Sequence, residues 1–229
     1  MSNTILHTDD QTVGRIRSFW DNLPRPFFLL APMANATDTA FRRIVTECSR
    51  PDAVYTEFTS VAGLCSPGAP RLMVDLEFGS CERPVIAQFF GCVPEQFRRC
   101  AELAAQLGFD GVDINMGCPD RAVLRQKSGA ALIRNPDLAL EIIDATRAGA
   151  GDLPVSVKTR IGHASDIIES WIGRLLCARP AAIVIHERTV KERSEVPAHW
   201  DAVRRACELA RGTGVPIIGN GDVQSLEHG

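Results

Sequence analysis

The 229-residue sequence contains no C-x-x-C pair. Its eight cysteines stand at positions 48, 65, 81, 92, 100, 118, 177 and 207, the closest two eight residues apart. That scatter argues against structural zinc and iron–sulfur clusters. It reads instead as reduced thiols, most of them small core residues. No apolar run approaches the ~20 residues that a membrane span needs; the longest, such as 27–32 and 180–185, are short. The first 25 residues include Asp9, Asp10, Arg15 and Arg17 and lack the apolar core of a signal peptide. A cytoplasmic protein with no membrane contact is expected. Neither sign of charge dominates. A net charge of −3 gives the whole molecule no pull on nucleic acid, so a nucleic-acid substrate would need a local basic patch. The absence of G-x-G-x-x-G and of a Walker sequence removes the Rossmann and P-loop readings.

What is present is an ordinary globular composition, 45% apolar and 23% charged. Short, nearly continuous apolar runs suit parallel strands buried on both faces, and they fall at 27–33, 53–58, 84–91, 111–117, 154–161, 181–187 and 216–222. Helical periodicity fills the gaps: Phe41, Ile44, Val45 and Cys48 behind a Thr37 or Asp38 cap; Phe97, Cys100, Ala101, Ala104 and Leu107 after Pro94; Leu138, Ile142 and Ala145 after Asn135-Pro136; and Trp200, Val203, Cys207 and Ala210. Seven βα steps in series predict an α/β fold. Polar residues close strand after strand, as Glu57, Gln88, Asn115, Lys158 with Arg160, His186 with Arg188, and Asn220 with Asp222. A barrel gathers such ends around one mouth, whereas a doubly wound sheet spreads them along an edge. The expectation is a TIM-type (β/α)8 barrel that is incomplete, with seven strands and no room for an eighth after Asp222. Residues 1–26 are expected to form a lead-in helix under the barrel, and 27–229 a barrel truncated after its seventh strand.

Within Asp113-Ile-Asn-Met-Gly-Cys-Pro119 a strand runs into a small-residue turn that presents Cys118 at the mouth. A thiol with an ordinary pKa of about 8.5 is protonated at neutral pH and can serve as an acid; a nucleophile is the other reading. Lys158 interrupts an apolar strand and calls for an anion or an electron-rich partner, or else is a Schiff-base lysine. His186 reads as a binding residue or a satisfied core histidine. Gly219-Asn220-Gly221-Asp222 is a glycine turn of the kind that holds phosphate on backbone N–H groups.

Together with these, Ala31-Pro32-Met33-Ala34, Thr37-Asp38, Phe41-Arg42, Gln88 with Phe90-Gly91, Gly129-Ala-Ala-Leu132, Val157-Lys158-Thr-Arg160-Ile-Gly162 and Ile185-His186-Glu-Arg188-Thr189 follow in one order. Over about residues 27–225 the sequence resembles the tRNA-dihydrouridine synthases, and Asn-Met-Gly-Cys-Pro is the specific part. The resemblance implies an FMN enzyme, reduced by NADPH or NADH, that acts on uridines of tRNA; a monomer is expected. In it Pro32, Met33 and Ala34 line the flavin, and Gln88 and Lys158 hydrogen-bond its ring. His186, Asn220, Gly221 and Asp222 hold the phosphate end. Cys118 protonates C5 of the uracil while hydride reaches C6, with Asn115 beside the base. Arg160 and Arg188 contact substrate. Arg121, Arg125 and Lys127, with Lys191 and Arg193, are candidate phosphate contacts, although Lys127 could instead stiffen the Cys118 loop.

The sequence also departs from that family. Glu187 stands where glycine is usual, which brings a carboxylate to the rim of the site, and the eighth strand's glycine–arginine pair and the helical C-terminal domain are missing. Two other readings stay open. One is an FMN barrel acting on a small molecule, as in dihydroorotate-type dehydrogenases or enoate reductases; the other is an inactive barrel fragment.

Overall fold

A computed structural model describes residues 18–223 and 225. Of the lead-in helix expected over 1–26, residues 1–17 lie outside the described residues, as do positions 224 and 226–229; within 18–26 the only helical element is the 3-10 turn Phe19–Asp21. Seven strands are present among those described: β1 Leu29–Leu30, β2 Ala53–Ser60, β3 Val85–Phe90, β4 Gly111–Met116, β5 Val155–Arg160, β6 Ile183–His186 and β7 Ile217–Asn220. They pair in parallel in chain order from β1 to β7, each with its sequence neighbours. The result is the α/β open arc of a barrel. A cleft of about 590 Å³ separates β1 from β7, lined in part by Phe27, Leu29, Ile218 and Asn220. Among the described residues no helix is long and apolar enough to cross a membrane.

The strands match the predicted runs except the first, where only two residues join the ladder and pair with Ala53 and Val54. Helix α1 covers Thr39–Ser49, α2 Pro94–Leu107, α3 Pro136–Ala150, α4 Ile168–Cys177 and α5 Trp200–Ala210. Asp38 caps α1 by accepting from the Phe41 N–H at 2.8 Å. Asn135 and Pro136 open α3, as the sequence suggests. Short helical turns fill 61–82 and 121–134, where the sequence showed no helical period.

Three packing expectations are corrected. The predicted apolar face of α1 is open, with Phe41 39% and Ile44 61% exposed; the residue that α1 buries is Arg42. Amphipathic spacing identifies a face but not what covers it. On α5 the buried face is Ala202, Ala206 and Ala210 rather than Val203 and Cys207. Of the eight cysteines only Cys100 is buried, because most of the others sit on the outer sides of helices and turns.

Arg42 explains how a charge enters the interior. Its Nε donates to Glu82 Oε2 at 2.6 Å, and its other nitrogens donate to the Thr37 and Glu77 carbonyls at 2.7 and 2.6 Å. Glu82 accepts in turn from Thr39 Oγ1 and the Gly79 N–H. Removing one partner of a buried, fully satisfied pair strands the other charge, at about 3–5 kcal/mol. Arg42→Met should therefore lower unfolding stability by about that amount, read from urea melts; a change within experimental error would mean that the pair carries no net stabilisation.

Along the arc, side chains alternate between two layers. Val85, Ala87, Phe89, Val112 and Ile114 pack outward against Phe97, Ala101, Ala104, Ile142 and Ile143 of α2 and α3. Inward, Trp20, Ala53, Tyr55, Ile86, Ala182 and Val184 form a separate apolar cluster. These residues lie low on the strands, and Trp20 comes from the 3-10 turn Phe19–Asp21. Apolar filling below thus leaves polar side chains for the upper layers.

Candidate functional site

Strand register places the upper layers. Gln88 on β3 is level with Asp113 on β4, and Asn115 on β4 with Lys158 on β5. Arg160 on β5 is level with His186 on β6, which is level with Asn220 on β7. Because side chains repeat every second residue, 113 and 115, 156, 158 and 160, and 218 and 220 point to the same side. A cleft of about 360 Å³ opens there. Its walls bring together Pro32, Met33, Gln88, Asn115, Cys118, Lys158, Arg160, His186, Asn220 and Gly221. Ala34 is exposed and does not line it. Asp222 lines the neighbouring β1–β7 cleft instead.

Cys118 is half-buried in the loop after β4, and four contacts hold the backbone around it. Asn115 Oδ1 accepts from the Gly117 and Cys118 N–H groups at 3.1 and 2.9 Å. The Cys118 carbonyl accepts from the Ala130 N–H at 3.1 Å. Arg160 Nε donates to the Gly117 carbonyl at 2.9 Å. The Gly129-Ala-Ala motif thereby gains a physical reason. Gly129 has φ +60°, and a Cβ on it would stand 2.9 Å from the Cys118 carbonyl oxygen, so a side chain there would displace the loop. Burial pushes the Cys118 thiol above its ordinary value, opposed by the backbone at Asp120 and by the Arg160 and Lys158 charges. At neutral pH the thiol keeps its proton.

Beneath Asn115 runs a buried polar chain that the sequence reading did not assign. Ser156 Oγ donates to Asp113 Oδ1 at 2.6 Å and Gln88 Nε2 donates to Asp113 Oδ2 at 2.7 Å. Asn115 Nδ2 donates to Gln88 Oε1 at 3.1 Å. An acceptor-only carboxylate at one end therefore sets the orientation of both amides, and with it the oxygen that holds the Cys118 loop. Gln88 keeps one N–H and one lone pair beyond these bonds. Burial raises Asp113 to about 6, with Ser156, Gln88 and the Lys158 charge opposing the rise. It is mostly ionised at pH 7, as its two donors require. Period-2 counting back from Asn115 and Lys158 would have found both Asp113 and Ser156.

Lys158 Nζ donates to Asn220 Oδ1 at 2.7 Å. Burial lowers it to about 8, helped by Arg160 and opposed by Asp113 and Glu187. His186 is held neutral, at about 3, first by burial and then by the Arg160, Lys158 and Arg188 charges. Its Nδ1 is buried with no hydrogen-bond partner.

Arg160 and Arg188, expected at the substrate, spend donors on the protein. Besides Gly117, Arg160 binds the Thr189 and Arg193 carbonyls at 3.0 and 3.1 Å. Arg188 Nε donates to the Val196 carbonyl at 2.7 Å, and its Nη2 pairs with Asp222. The Asp222 carboxylate is thus committed to Arg188 and to the Ala198 N–H at 3.2 Å. Both arginines tie the 189–196 loop to the mouth. Arg121, Arg125, Lys127, Lys191 and Arg193 are exposed on the loops after β4 and β6.

A family model described as Dihydrouridine synthase (Dus) matches residues 29–229. A "Probable tRNA-dihydrouridine synthase" of Staphylococcus aureus (strain COL) is 43% identical over 218 residues, covering 93% of this chain and 65% of the relative. "Probable tRNA-dihydrouridine synthase 2" of Bacillus subtilis (strain 168) is 42% identical over 219 residues, covering 93% of this chain and 66% of the relative. The chain thus spans about 65% of the length of the S. aureus relative. Among solved structures, histamine dehydrogenase from Rhizobium sp. 4-9 superposes with a TM-score of 0.61 at 14% identity, over 86% of this chain and 40% of that one. A variant of NCR from Zymomonas mobilis gives a TM-score of 0.56 at 14% identity, over 88% and 76%. At such identity the likeness is one of fold.

Proposed function

The chain belongs to the dihydrouridine synthase family, and on that premise we propose that it forms the FMN-binding barrel of a cytoplasmic, monomeric enzyme that reduces uridines of tRNA to 5,6-dihydrouridine with NADPH or NADH. The observation that carries this reading is the convergence of Cys118 with Asn115, Lys158 and His186 on one cleft.

The donor set fits FMN. A cation at Lys158 suits the electron-rich edge of a reduced flavin ring. His186, with an unsatisfied buried Nδ1, and the Gly219–Gly221 turn suit the ribityl phosphate end. Pro32 and Met33 supply an apolar wall across the cleft. When bound, FMN supplies the hydride equivalent for C6 of the uracil. Cys118 then gives its proton to C5, where negative charge develops, and Asn115 fixes the distance by holding the loop. Asp222 and Arg188 set the shape of the turn and loop around the site, and Arg160 secures the loop carrying Cys118. The uridine must leave its stack to reach this cleft, at a few kcal/mol. The exposed bases on the loops after β4 and β6 support phosphate contacts that a net charge of −3 would not suggest.

The purified chain is expected to carry a flavin absorption spectrum and to consume NADPH with unmodified tRNA, forming dihydrouridine detectable by nucleoside mass spectrometry. Turnover with dihydroorotate or an enoate and none with tRNA would replace this reading by the small-molecule one. A colourless chain that takes up no flavin would leave a barrel without the activity.

A further inference from the structure

Glu187, directly after β6, is 0% exposed. Neither carboxylate oxygen meets a hydrogen-bond donor of another residue. Its backbone is anchored, accepting from the His199 N–H at 3.0 Å and donating to the Asn220 carbonyl at 3.3 Å. The side chain lies against the turn after β7. A Cβ on Gly221 would stand 2.4 Å from one carboxylate oxygen, and a Cβ on Gly219 would stand 3.2 Å from the other. Gly221, at φ +140°, is therefore pressed onto a carboxylate in a conformation that glycine alone adopts readily. This is the turn assigned above to the phosphate end of the cofactor, so two anions would share its two sides.

We propose that Glu187 couples anion capture at the Gly219–Gly221 turn to the uptake of one proton, so that the site takes a phosphate monoester with the Glu187 carboxyl neutral. The inference rests on the flavin reading above and adds a condition to it. The groups facing Glu187 are Lys158 from β5, Arg188 from its own loop and Asp222 from the turn. Burial raises Glu187 to about 7, opposed by the Arg188 and Lys158 charges and aided by Asp222. His186, beside Gly221, is neutral and adds no charge. Asp222 is held ionised by Arg188, so it stays negative while Glu187 titrates. A phosphate arriving across the turn from ionised Glu187 meets a carboxylate that no hydrogen bond compensates; across from the neutral acid that repulsion is gone.

The test is flavin-fluorescence titration of the whole chain with FMN and with riboflavin, which lacks the phosphate, at pH 6 and pH 8, in wild type and Glu187→Gln. In wild type the FMN-to-riboflavin affinity ratio should fall about tenfold between the two pH values, following the neutral fraction of a group near pH 7. In Glu187→Gln it should change no more than about threefold, the share owed to the phosphate's own ionisation, because an effect of Lys158 on the ring is common to both flavins and cancels in the ratio. Equal pH dependence in both proteins overturns the proposal and leaves the flavin reading intact. Failure of both flavins to bind at every pH overturns both. Thermal melting supplies a readout without ligand. A carboxyl whose folded pKa is raised from 4.5 to about 7 contributes stability below 4.5 that is lost as pH rises through 7. The wild-type midpoint should thus drop between pH 5 and pH 8 relative to Glu187→Gln, and parallel curves would count against a neutral carboxyl. If glutamine is not accommodated, Glu187→Gly serves as the same comparison.

Discussion

Replacing Cys118 by alanine is expected to leave flavin bound and to cut dihydrouridine formation by about 10²- to 10⁴-fold, the usual range for removing a positioned general acid. The substitution is clean because the loop does not depend on sulfur. Asn115 Oδ1 holds the two backbone N–H groups, Ala130 holds the carbonyl, and Arg160 holds the Gly117 carbonyl. Each of these contacts survives the loss of Sγ. Burial raises the thiol pKa, so the acid form persists through neutral pH and the wild-type rate should show no loss from thiol ionisation near pH 7–8. Nucleoside mass spectrometry of tRNA after incubation with enzyme and NADPH reads the product; the flavin spectrum reads the cofactor. Unchanged product yield would remove Cys118 as the acid. Loss of flavin together with product would show that the thiol has a binding role instead.

The strand ends that meet at the cleft were legible because a parallel strand buried on both faces has few places for a polar side chain. Asn115, Lys158, His186 and Asn220 each interrupt or close an apolar run, and register brings them level. The two arginines were harder. Arg160 and Arg188 also end strands, but a guanidinium aimed at a ligand and one aimed at backbone carbonyls look alike in sequence. Only coordinates reveal that Gly117, Thr189, Arg193 and Val196 occupy them. Asp113 was visible inside the Asp-Ile-Asn-Met-Gly-Cys-Pro motif yet carried no assigned role. Its meaning depends on Gln88 and Ser156, which lie 25 and 43 residues away. The open face of α1 and the exposed cysteines share one cause: composition and period report local preference, and burial is decided by neighbours far along the chain. Glu187 showed itself as a departure from the family's glycine. That it lies under the turn with both oxygens unpartnered is a property of the fold.

The second large effect is expected at Lys158. With saturating flavin, Lys158→Met should slow reduction of the bound flavin by NADPH about 10- to 10³-fold, on the order of what is lost with one preorganised stabiliser of developing negative charge. The ammonium is fixed rather than mobile: it bonds Asn220 Oδ1 at 2.7 Å and rises from a strand position level with Asn115. Its depressed value, about 8, means that the charge is present at pH 7 and half gone near pH 8. Stopped-flow bleaching of the flavin band should therefore slow in wild type as pH rises from 7 to 9, whereas the methionine variant should be slow and flat. Stability moves the opposite way. A lysine whose folded pKa is lowered from 10.5 to about 8 destabilises the fold below pH 8, and that penalty fades as pH climbs toward 10.5. The variant should accordingly melt no lower than wild type at pH 7, which separates lost chemistry from lost structure. A wild-type rate that is level across pH 7–9, or a variant that reduces flavin at the wild-type rate, would show that the Lys158 charge takes no part. Riboflavin affinity is the guard against confusion with Glu187, because the carboxyl is expected to act through the phosphate and the lysine through the ring.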